Sequence, residues 1–458
     1  MPKPQKMSKE EFREKELEIL RAAVDATAME KAKKTVSSPE IKKIIAIVEA
    51  FLKKKHLICY GGTAINNILP KDDQFYDKKV EIPDYDFFSP SAMEDAMELA
   101  DIYAAKGYTE VEAKSGVHLG TFKVFVNFIP VADVTQLDPD LFKRIKKQAI
   151  TREGILYSPP NLLRMNMYLE LSRPDGDVSR WEKVLKRLIL LNKNYPLRGE
   201  NCNTDTFQRT FEGTDKYSAK EIYKLVREEF IKQGVVFFGG YANHLYGKYM
   251  PKRAKKVGAG LPDFDVLALS PKESAEKLEK ALVKAKIGDV SIHARFGIHE
   301  LLADHYEIKV GDDTIAFIYE PLACHSYNTL KIDGKAIKVA TIDTMLNLYL
   351  SFLFADREYY DTDRILCMSE YLFSVQAANR LEQRHILKRF STDCYGKQLQ
   401  LEDMRAEKAA AFKELKRGTK EYNQHFLRYR PTVKSKSKTI KSKKSSKSSG
   451  KTRKASSK

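Results

Sequence analysis

Two aspartates separated by a single residue are the first candidates for chemistry in this sequence. Asp84 and Asp86 lie in the run 83–88, whose aromatic residues predict a short strand. Side chains alternate along a strand, so we expect both carboxylates to lie on the same face. Such a pair suits two Mg²⁺ ions, which take oxygen ligands and keep substrate phosphates as further ligands. An Asp-x-Asp pair alone is a weak signal, because most such pairs are solvated.

A pair of glycines lies upstream of these aspartates. Gly61 and Gly62 follow the apolar run 56–60, which predicts a buried strand, and they precede residues 63–69, which predict a helix. Glycine lets the backbone approach a triphosphate closely, and the start of a helix offers N–H groups without helical partners. A plain tight turn is the commoner explanation of two glycines. The order and spacing of the glycines and the aspartates therefore carry more information than either pair alone.

The same order of elements occurs a second time. Gly239 and Gly240 follow a predicted strand, and Asp263 and Asp265 flank a phenylalanine further on. The first glycine and the first aspartate are 23 residues apart in the first copy and 24 in the second. In both copies a helix precedes the strand, and a Ser-Pro pair after the aspartates begins another helix. Two copies of one module explain this pattern best.

The charge of the chain favours a polyanionic partner. Its 458 residues carry a formal net charge of +18, as is typical of proteins that bind nucleic acid or anionic membranes. Residues 431–458 contain eleven Lys/Arg and no acid, which leaves +7 on residues 1–430. This serine-rich segment cannot bury enough apolar surface to fold, so it is predicted to be a disordered tail. The tail either attracts nucleic acid or keeps the protein soluble.

Several classes of protein are excluded by what the sequence contains. The longest apolar run, 348–355, is much shorter than the ~18 residues of a membrane span. Residues 1–16 are polar and charged, unlike the apolar core of a secretory signal. The five cysteines are far apart in the sequence and form no Cys-x-x-Cys pair. A reducing, intracellular setting is therefore expected, and a zinc ribbon is not.

These motifs together resemble those of the polymerase-beta-like nucleotidyltransferase superfamily. More narrowly, residues 61–67 (GGTAINN), 83–89 (PDYDFFS) and 131–135 (VADVT) resemble the poly(A) polymerase catalytic subunits of large nucleocytoplasmic DNA viruses. The resemblance covers about residues 38–378. It implies a template-independent polynucleotide adenylyltransferase that adds AMP from ATP to mRNA 3′ ends with two Mg²⁺ or Mn²⁺ ions. The alternatives are another RNA terminal nucleotidyltransferase, adding uridylate or cytidylate, and a non-catalytic RNA-binding scaffold.

Carried over residue by residue, the resemblance also implies roles at the site. Gly61, Gly62 and Thr63 would hold the incoming triphosphate. Asp84 and Asp86 would bind both metal ions. Partners implied in the same way are ATP and the 3′ end of a single-stranded RNA, with a homodimer or a viral processivity partner left open. The implied location is the host cytoplasm, in viral factories, and the virion.

The resemblance places the third carboxylate at Asp133, which would complete the site of the metal that activates the attacking 3′-hydroxyl. The flanking Val131, Ala132 and Val134 suit a buried strand, where an unpaired carboxylate is costly and a bound metal removes the cost. A different strand register would leave other acids as alternatives, namely Asp138, Asp140, Glu110 and Glu112.

The second copy is predicted to have lost its activity. Aligning Pro321 with Pro130 puts Cys324 where the first copy has Asp133. A thiol is a poor replacement for a carboxylate on Mg²⁺. Tyr241 also replaces the small Thr63 of the first copy. We therefore expect the second module to act as a scaffold that packs against the first.

The predicted fold class is α+β, with two tandem nucleotidyltransferase-like modules, each a small mixed sheet with helices and each followed by helical segments. The predicted boundaries are a helical segment over 1–37, the catalytic domain over 38–155, a helical connection over 156–215, the degenerate domain over 216–335, a helical region over 336–430 and the disordered tail over 431–458.

Overall fold

The computed structural model describes residues 8–77, 79–202, 213–214, 217–250, 261–298 and 301–432. The predicted Lys/Ser tail, apart from its first two residues, lies outside the described residues.

The first half of the chain contains seven helices and seven strands within the described residues. In chain order they are α1 (Lys9–Ser37), α2 (Pro39–Lys55), β1 (Ile58–Cys59), α3 (Gly61–Ile68), β2 (Tyr85–Ser89), α4 (Ala92–Ala105), β3 (Val111–Ser115), β4 (Thr121–Val126), β5 (Ile129–Gln136), α5 (Pro139–Lys147), β6 (Ile150–Arg152), β7 (Ile155–Tyr157), α6 (Pro160–Leu171) and α7 (Trp181–Asn194).

The described part of the second half begins with a small hairpin. In chain order its elements are β8 (Gly213–Thr214), β9 (Tyr217–Ser218), α8 (Ala219–Gln233), β10 (Val236–Phe238), α9 (Gly239–Tyr246), β11 (Phe264–Leu267), α10 (Pro271–Lys284), β12 (Val290–Arg295), β13 (His305–Val310), β14 (Asp313–Tyr319), β15 (His325–Ile332), β16 (Lys335–Ala340), α11 (Ile342–Phe352), α12 (Thr362–Ala378), β17 (Cys394–Tyr395), α13 (Leu401–Glu414), α14 (Lys420–Phe426) and β18 (Arg428–Tyr429).

Local sequence signals account for the start of the helix that precedes each glycine pair. Ser38 caps α2 by accepting a hydrogen bond from the Glu40 N–H, and Pro39 occupies the first turn. Ser218 and Glu221 form a capping box at the start of α8. Each helix then buries an apolar stripe, and the helix predicted before the strand is present in both copies.

The two large sheets share one topology. The first has the order β18-β3-β4-β5-β2-β1-β7-β6, and the second has the order β12-β13-β14-β11-β10-β16-β15-β17. The pairs β2–β5 and β1–β7 are parallel, as are their counterparts β11–β14 and β10–β16. Seven strands of each sheet therefore match one to one, with β18 added at one end of the first sheet and β17 at the opposite end of the second. The predicted α+β class with two tandem modules is confirmed.

The strand register corrects one alignment made from the sequence. Asp86 on β2 pairs with Asp133 on β5, whereas the equivalent Asp265 on β11 pairs with Phe317 on β14. Phe317, not Cys324, is the counterpart of Asp133. The prolines misled the alignment because Pro130 lies inside β5, whereas Pro321 follows the end of β14.

The sheet of the first module has one face against a helix. Helix α4 packs on β3, β4 and β5, and burial alternates along β4 accordingly. Phe122 and Val124 are buried, whereas Lys123 and Phe125 on the other face are partly exposed. This alternation leaves polar side chains along one face of the sheet.

The two modules pack through equivalent helices. α6 follows β7 in the first module and α11 follows β16 in the second, and these two helices lie against each other. The Asn347 side chain donates a hydrogen bond of 3.2 Å to the Met165 carbonyl. Asp343 is fully buried and pairs with Arg389 at 2.8 Å. The ion pair compensates the negative charge of Asp343, which would otherwise be costly to bury.

Some connections cross the predicted boundaries. β7 runs across residue 155, β16 extends to Ala340, and the chain returns after α14 to add β18 to the edge of the first sheet. The domain boundaries stay predictions. None of the helices in the described ranges is long and apolar enough to cross a membrane.

Four of the five cysteines are paired in the structure. Disulfides join Cys202 to Cys367 and Cys324 to Cys394, and Cys59 is free and buried. Separation in the sequence therefore did not mean separation in space, which removes the argument that was drawn from cysteine spacing. The intracellular location stays a prediction.

Candidate active site

Three carboxylates lie near one another at two adjacent strands of the first sheet, β2 and β5. Asp86 and Asp133 are partners in the parallel pair β2–β5, so their side chains leave the sheet side by side on the same face. Asp84 lies one residue before β2, although the sequence predicted it within the strand. The structure thus places all three sequence-predicted acids close enough to influence the pKa values of Asp84 and Asp86. Within the described ranges, their carboxylate oxygens do not all lie within 4.8 Å of one another. The structure assigns them no role.

The proximity of these acids changes their ionisation. The pKa of Asp86 is raised to about 7, first by burial and then by the negative charges of Asp84 and Asp133. The pKa of Asp84 is raised by desolvation and by the charge of Asp133. Neighbouring carboxylates raise one another's pKa because their negative charges repel, and a bound cation relieves this repulsion.

A lysine supplies positive charge to this cluster. Lys123 is the partner of Asp133 in the antiparallel pair β4–β5, and its ammonium group forms an ion pair with the Asp133 carboxylate. Its positive charge partly offsets the rise in the pKa of Asp84 and of Asp86. A cation is therefore already stabilised where the carboxylates meet. Oxygen donors around such a position fit Mg²⁺ or Mn²⁺.

The first glycine of the turn is required by its backbone conformation and by its contact with Asp86. Gly61 has φ +72°, and a Cβ atom at this position would lie 2.6 Å from Oδ2 of Asp86. The start of α3 therefore lies directly against the carboxylate cluster. The N–H groups of the first helical turn are presented beside it.

The neighbours of this turn have specific partners. The buried Thr63 donates its hydroxyl hydrogen to the Asp84 carbonyl oxygen at 2.6 Å. The Tyr60 N–H donates to the Asp86 carbonyl at 2.9 Å, and the Tyr60 hydroxyl shares a hydrogen bond with Thr135. Thr63 thus holds the backbone beside the aspartates, and its hydroxyl is already engaged there.

An arginine at the glycine turn was missed by the sequence analysis. Arg187 on α7 would lie 2.9 Å, through Nη1, from a Cβ placed at Gly62. Its guanidinium donates to the Tyr76 hydroxyl at 2.7 Å and lies over the Phe75 ring at 4.8 Å. The sequence offers no local signal for this residue, because α7 is one of several Lys/Arg-rich helices and only its packing brings Arg187 to α3.

The alternative third acids have other partners. Asp138 caps α5 through the backbone N–H of Asp140 and Leu141. Asp140 is exposed and pairs with Lys143 on the same helix. Glu112 pairs with Arg430 on the far side of β3 from the cluster. Glu110 is exposed just before β3. Of the acids weighed, Asp133 has the position that fits beside Asp84 and Asp86.

The equivalent position in the second module has a different composition. Gly239 repeats the left-handed turn with φ +66° and lies against Asp265, as Gly61 lies against Asp86. The hydroxyl of Tyr241, which replaces Thr63, accepts a hydrogen bond from Arg227. Phe317 is fully buried where the first module has Asp133. The turn is retained here, but the third carboxylate is not.

The first module combines a glycine turn at the start of a helix with carboxylates on adjacent strands. Residues 46–177 match the family model described as "Poly(A) polymerase catalytic subunit". This range contains every candidate site residue predicted from the sequence. The resemblance drawn from the motifs is thereby confirmed.

Similar proteins point the same way. A protein of African swine fever virus (isolate Tick/Malawi/Lil 20-1/1983), described as "Putative poly(A) polymerase catalytic subunit", is 34% identical over 185 residues. These residues are 39% of this chain and 38% of that protein. A protein of the same description from Acanthamoeba polyphaga mimivirus is 26% identical over 303 residues, 61% of this chain and 51% of the relative. The match thus spans well under half of the swine fever virus relative.

The fold of the whole chain is similar to a solved structure. The crystal structure of the Megavirus polyadenylate synthase matches with a TM-score of 0.75 and covers 90% of this chain and 86% of that one. The sequence identity is 21%, so this likeness concerns the fold.

Proposed function

We propose that this protein is a template-independent polynucleotide adenylyltransferase that adds AMP from ATP to the 3′ end of RNA. The observation that carries the proposal is the register of Asp86 with Asp133, with Asp84 beside them and the Gly61 turn directly against Asp86. Nucleotidyl transfer depends on positioning and charge neutralisation more than on a covalent nucleophile. This group of residues offers both.

The acids have distinct roles in the proposed reaction. Asp84 and Asp86 would hold the two divalent cations, Mg²⁺ or Mn²⁺, and Asp133 would complete the site of the cation that activates the 3′-hydroxyl. When bound, the cations supply neutralisation of the triphosphate and activation of the hydroxyl. Lys123 orients the Asp133 carboxylate through their ion pair. Thr63 fixes the backbone at Asp84, so the carboxylates are held in position before substrate binds.

The triphosphate lies on the glycine turn in this proposal. Gly61, Gly62 and Thr63 offer backbone N–H groups at the start of α3, where the helix favours negative charge. Arg187 lies beside Gly62, and its contacts with Tyr76 and Phe75 fix its orientation. A guanidinium held in this way suits bidentate binding of a phosphate.

The test is primer extension by the purified protein. An unstructured RNA primer is incubated with Mg²⁺ or Mn²⁺ and with each of the four NTPs separately. We expect extension with ATP, and its loss in Asp133→Asn but not in the exposed helix variant Asp140→Asn. Extension mainly with UTP or CTP would instead identify another terminal nucleotidyltransferase. Absence of extension with every nucleotide would leave a non-catalytic RNA-binding scaffold.

A further inference from the structure

The carboxylate cluster is the inner end of a row of side chains that crosses the first sheet. Successive strand pairings place Arg428 opposite Lys114, Lys114 opposite Lys123, Lys123 opposite Asp133, and Asp133 opposite Asp86. Residues paired in this way project from the same face of a sheet. We call Arg428, Lys114 and Lys123 the cation row. At about 4.8 Å per strand, roughly 19 Å separates Arg428 from Asp86.

The cation row lies on the face of the sheet opposite helix α4. Ala113 and Val124, which alternate with the lysines, are fully buried on the helix side. Lys114 and Lys123 are partly exposed, and Arg428 at the edge is exposed. The row is therefore accessible along its length, from the sheet edge to the carboxylates.

Neighbouring contacts hold the middle of the row and define its charge. The Lys114 ammonium lies 4.2 Å from the centre of the Phe125 ring, which directs it along the face. Arg430, the other arginine at this edge, pairs with Glu112 and so has its charge offset. Lys123 pairs with Asp133, so Lys114 and Arg428 are the members of the cation row that have no acidic ion-pair partner in the described part of the chain.

We propose that the cation row binds the phosphate backbone of single-stranded RNA and leads its 3′ end to Asp133. This inference rests on the proposed function and names the surface that would receive its RNA substrate. A row of separate cations on an open surface suits a flexible polyanion, whose phosphates follow one another along the chain. Continuity with Asp133 places the end of such a strand at the carboxylate assigned to the 3′-hydroxyl.

The second module provides an internal contrast. There the corresponding row reads His293, Glu307, Phe317 and Asp265. Glu307, at the position of Lys123, is an acid held by Arg295 and Thr314. β12 forms the edge of that sheet in the described part of the chain, so no strand adds a counterpart to Arg428. The cation row is confined to the module that has all three carboxylates.

The test compares RNA binding and nucleotide use in the full-length protein. The double variant Lys114→Gln/Arg428→Gln is titrated against a labelled, unstructured RNA at several salt concentrations, without nucleotide. We expect its Kd to rise about tenfold. The magnitude of the slope of log K against log salt should decrease by about 1.4, since each lost phosphate contact on a single strand lowers that magnitude by ~0.7. In primer extension, KM for RNA should rise, while KM for ATP should not.

Two controls keep the result interpretable. Lys338→Gln removes a lysine that lies over aromatic rings in the second sheet, at 5.4 Å from Tyr327, and should bind RNA as the wild type does. The charge-preserving Lys114→Arg/Arg428→Lys should retain affinity and salt slope, which separates charge from a folding defect.

Each outcome bears on one claim. An unchanged Kd and salt slope in the glutamine variant would contradict RNA binding by the cation row, even if the wild type extends RNA normally. A rise in KM for ATP without a rise in KM for RNA would contradict it as well. If the wild type extends no primer, the proposed function fails. The binding titration still decides whether this row contacts RNA.

Discussion

The two modules share their strand order and glycine turn, yet they differ at the centre of the sheet. In the first, Lys123, Asp133 and Asp86 lie side by side; in the second, the same positions hold Glu307, Phe317 and Asp265. The fold thus survives the replacement of a carboxylate by a buried aromatic ring. The chemistry-bearing residues are not what stabilises this architecture.

Aromatic side chains pack at the centre of the second sheet, at the position where the first sheet has charged side chains. Phe317 stacks on Tyr359 with ring centres 5.3 Å apart, and His305 lies 6.0 Å away. Burial also lowers the pKa of His305 to about 4, so that it stays neutral there. Apolar burial stabilises the second module at this point, whereas the first retains acids that repel one another. Retained repulsion of this kind is typical of functional sites.

The largest expected effect comes from removing one acid of the first module. Asp84→Asn or Asp86→Asn should lower primer extension about a thousandfold or more, because a charge facing the metal ions is lost with little change in packing. Initial rates with ATP, together with circular dichroism to check folding, measure this.

The matched change in the second module is the double variant Asp263→Asn/Asp265→Asn. We expect most of the extension activity to remain, with a loss of stability at most, because Phe317 leaves that module without a third acid. If this variant stays folded and loses extension, the second module is catalytic too, and the contrast drawn between the modules is wrong.

A smaller effect is expected at the glycine turn of the first module, where Arg187 lies beside Gly62. Arg187→Gln should lower kcat/KM for ATP by about 10- to 100-fold, the range for one lost hydrogen bond to a charged group. The exposed Lys186→Gln on the same helix, which pairs with Glu182, should behave as the wild type does. Equal kinetics in both variants would show that Arg187 does not contact the nucleotide.

Deletion of residues 431–458 tests whether the positive charge that follows β18 contributes to RNA binding. This deletion takes away eleven positive charges, so RNA affinity should fall by roughly tenfold and the salt dependence of binding should become shallower. Anisotropy titrations at several salt concentrations measure both quantities. The same slope in both proteins would mean that the tail acts in solubility or targeting.

The smallest expected effect is on the stability of the metal-free protein. Asp86→Asn should raise the free energy of unfolding by ~1 kcal/mol at pH 8 in EDTA, because it removes a repelled charge. Since the pKa of Asp86 is raised to about 7 in the folded state, the wild type loses stability as the pH rises from about 4 to about 7. The gain should therefore shrink as the pH falls from 7 toward 4.

Urea denaturation at several pH values tests this directly, with Asp140→Asn as an exposed control. A gain that is constant with pH would show that burial and the neighbouring acids do not raise the pKa of Asp86.

The sequence predicted the parts of the site that depend on short stretches of chain. The Gly61 turn and the alternating Asp84 and Asp86 are local patterns, and each lies where it was expected or within one residue. The prediction failed where distant segments had to be matched. Cys324 was aligned with Asp133 from a shared proline, but pairing with β11 selects Phe317.

The sequence by itself determined that this chain contains two copies of one module and that each copy carries a glycine pair and an Asp-x-Asp pair. These facts follow from residue types and spacing, which need no knowledge of packing. The tertiary structure alone decided that Arg187 lies at Gly62, that β18 joins the first sheet, and that Lys114 and Lys123 stand in line with Asp133. The physical reason is strand register: a shift of one residue turns every side chain to the other face. Register is set by the burial of whole strands far apart in the sequence.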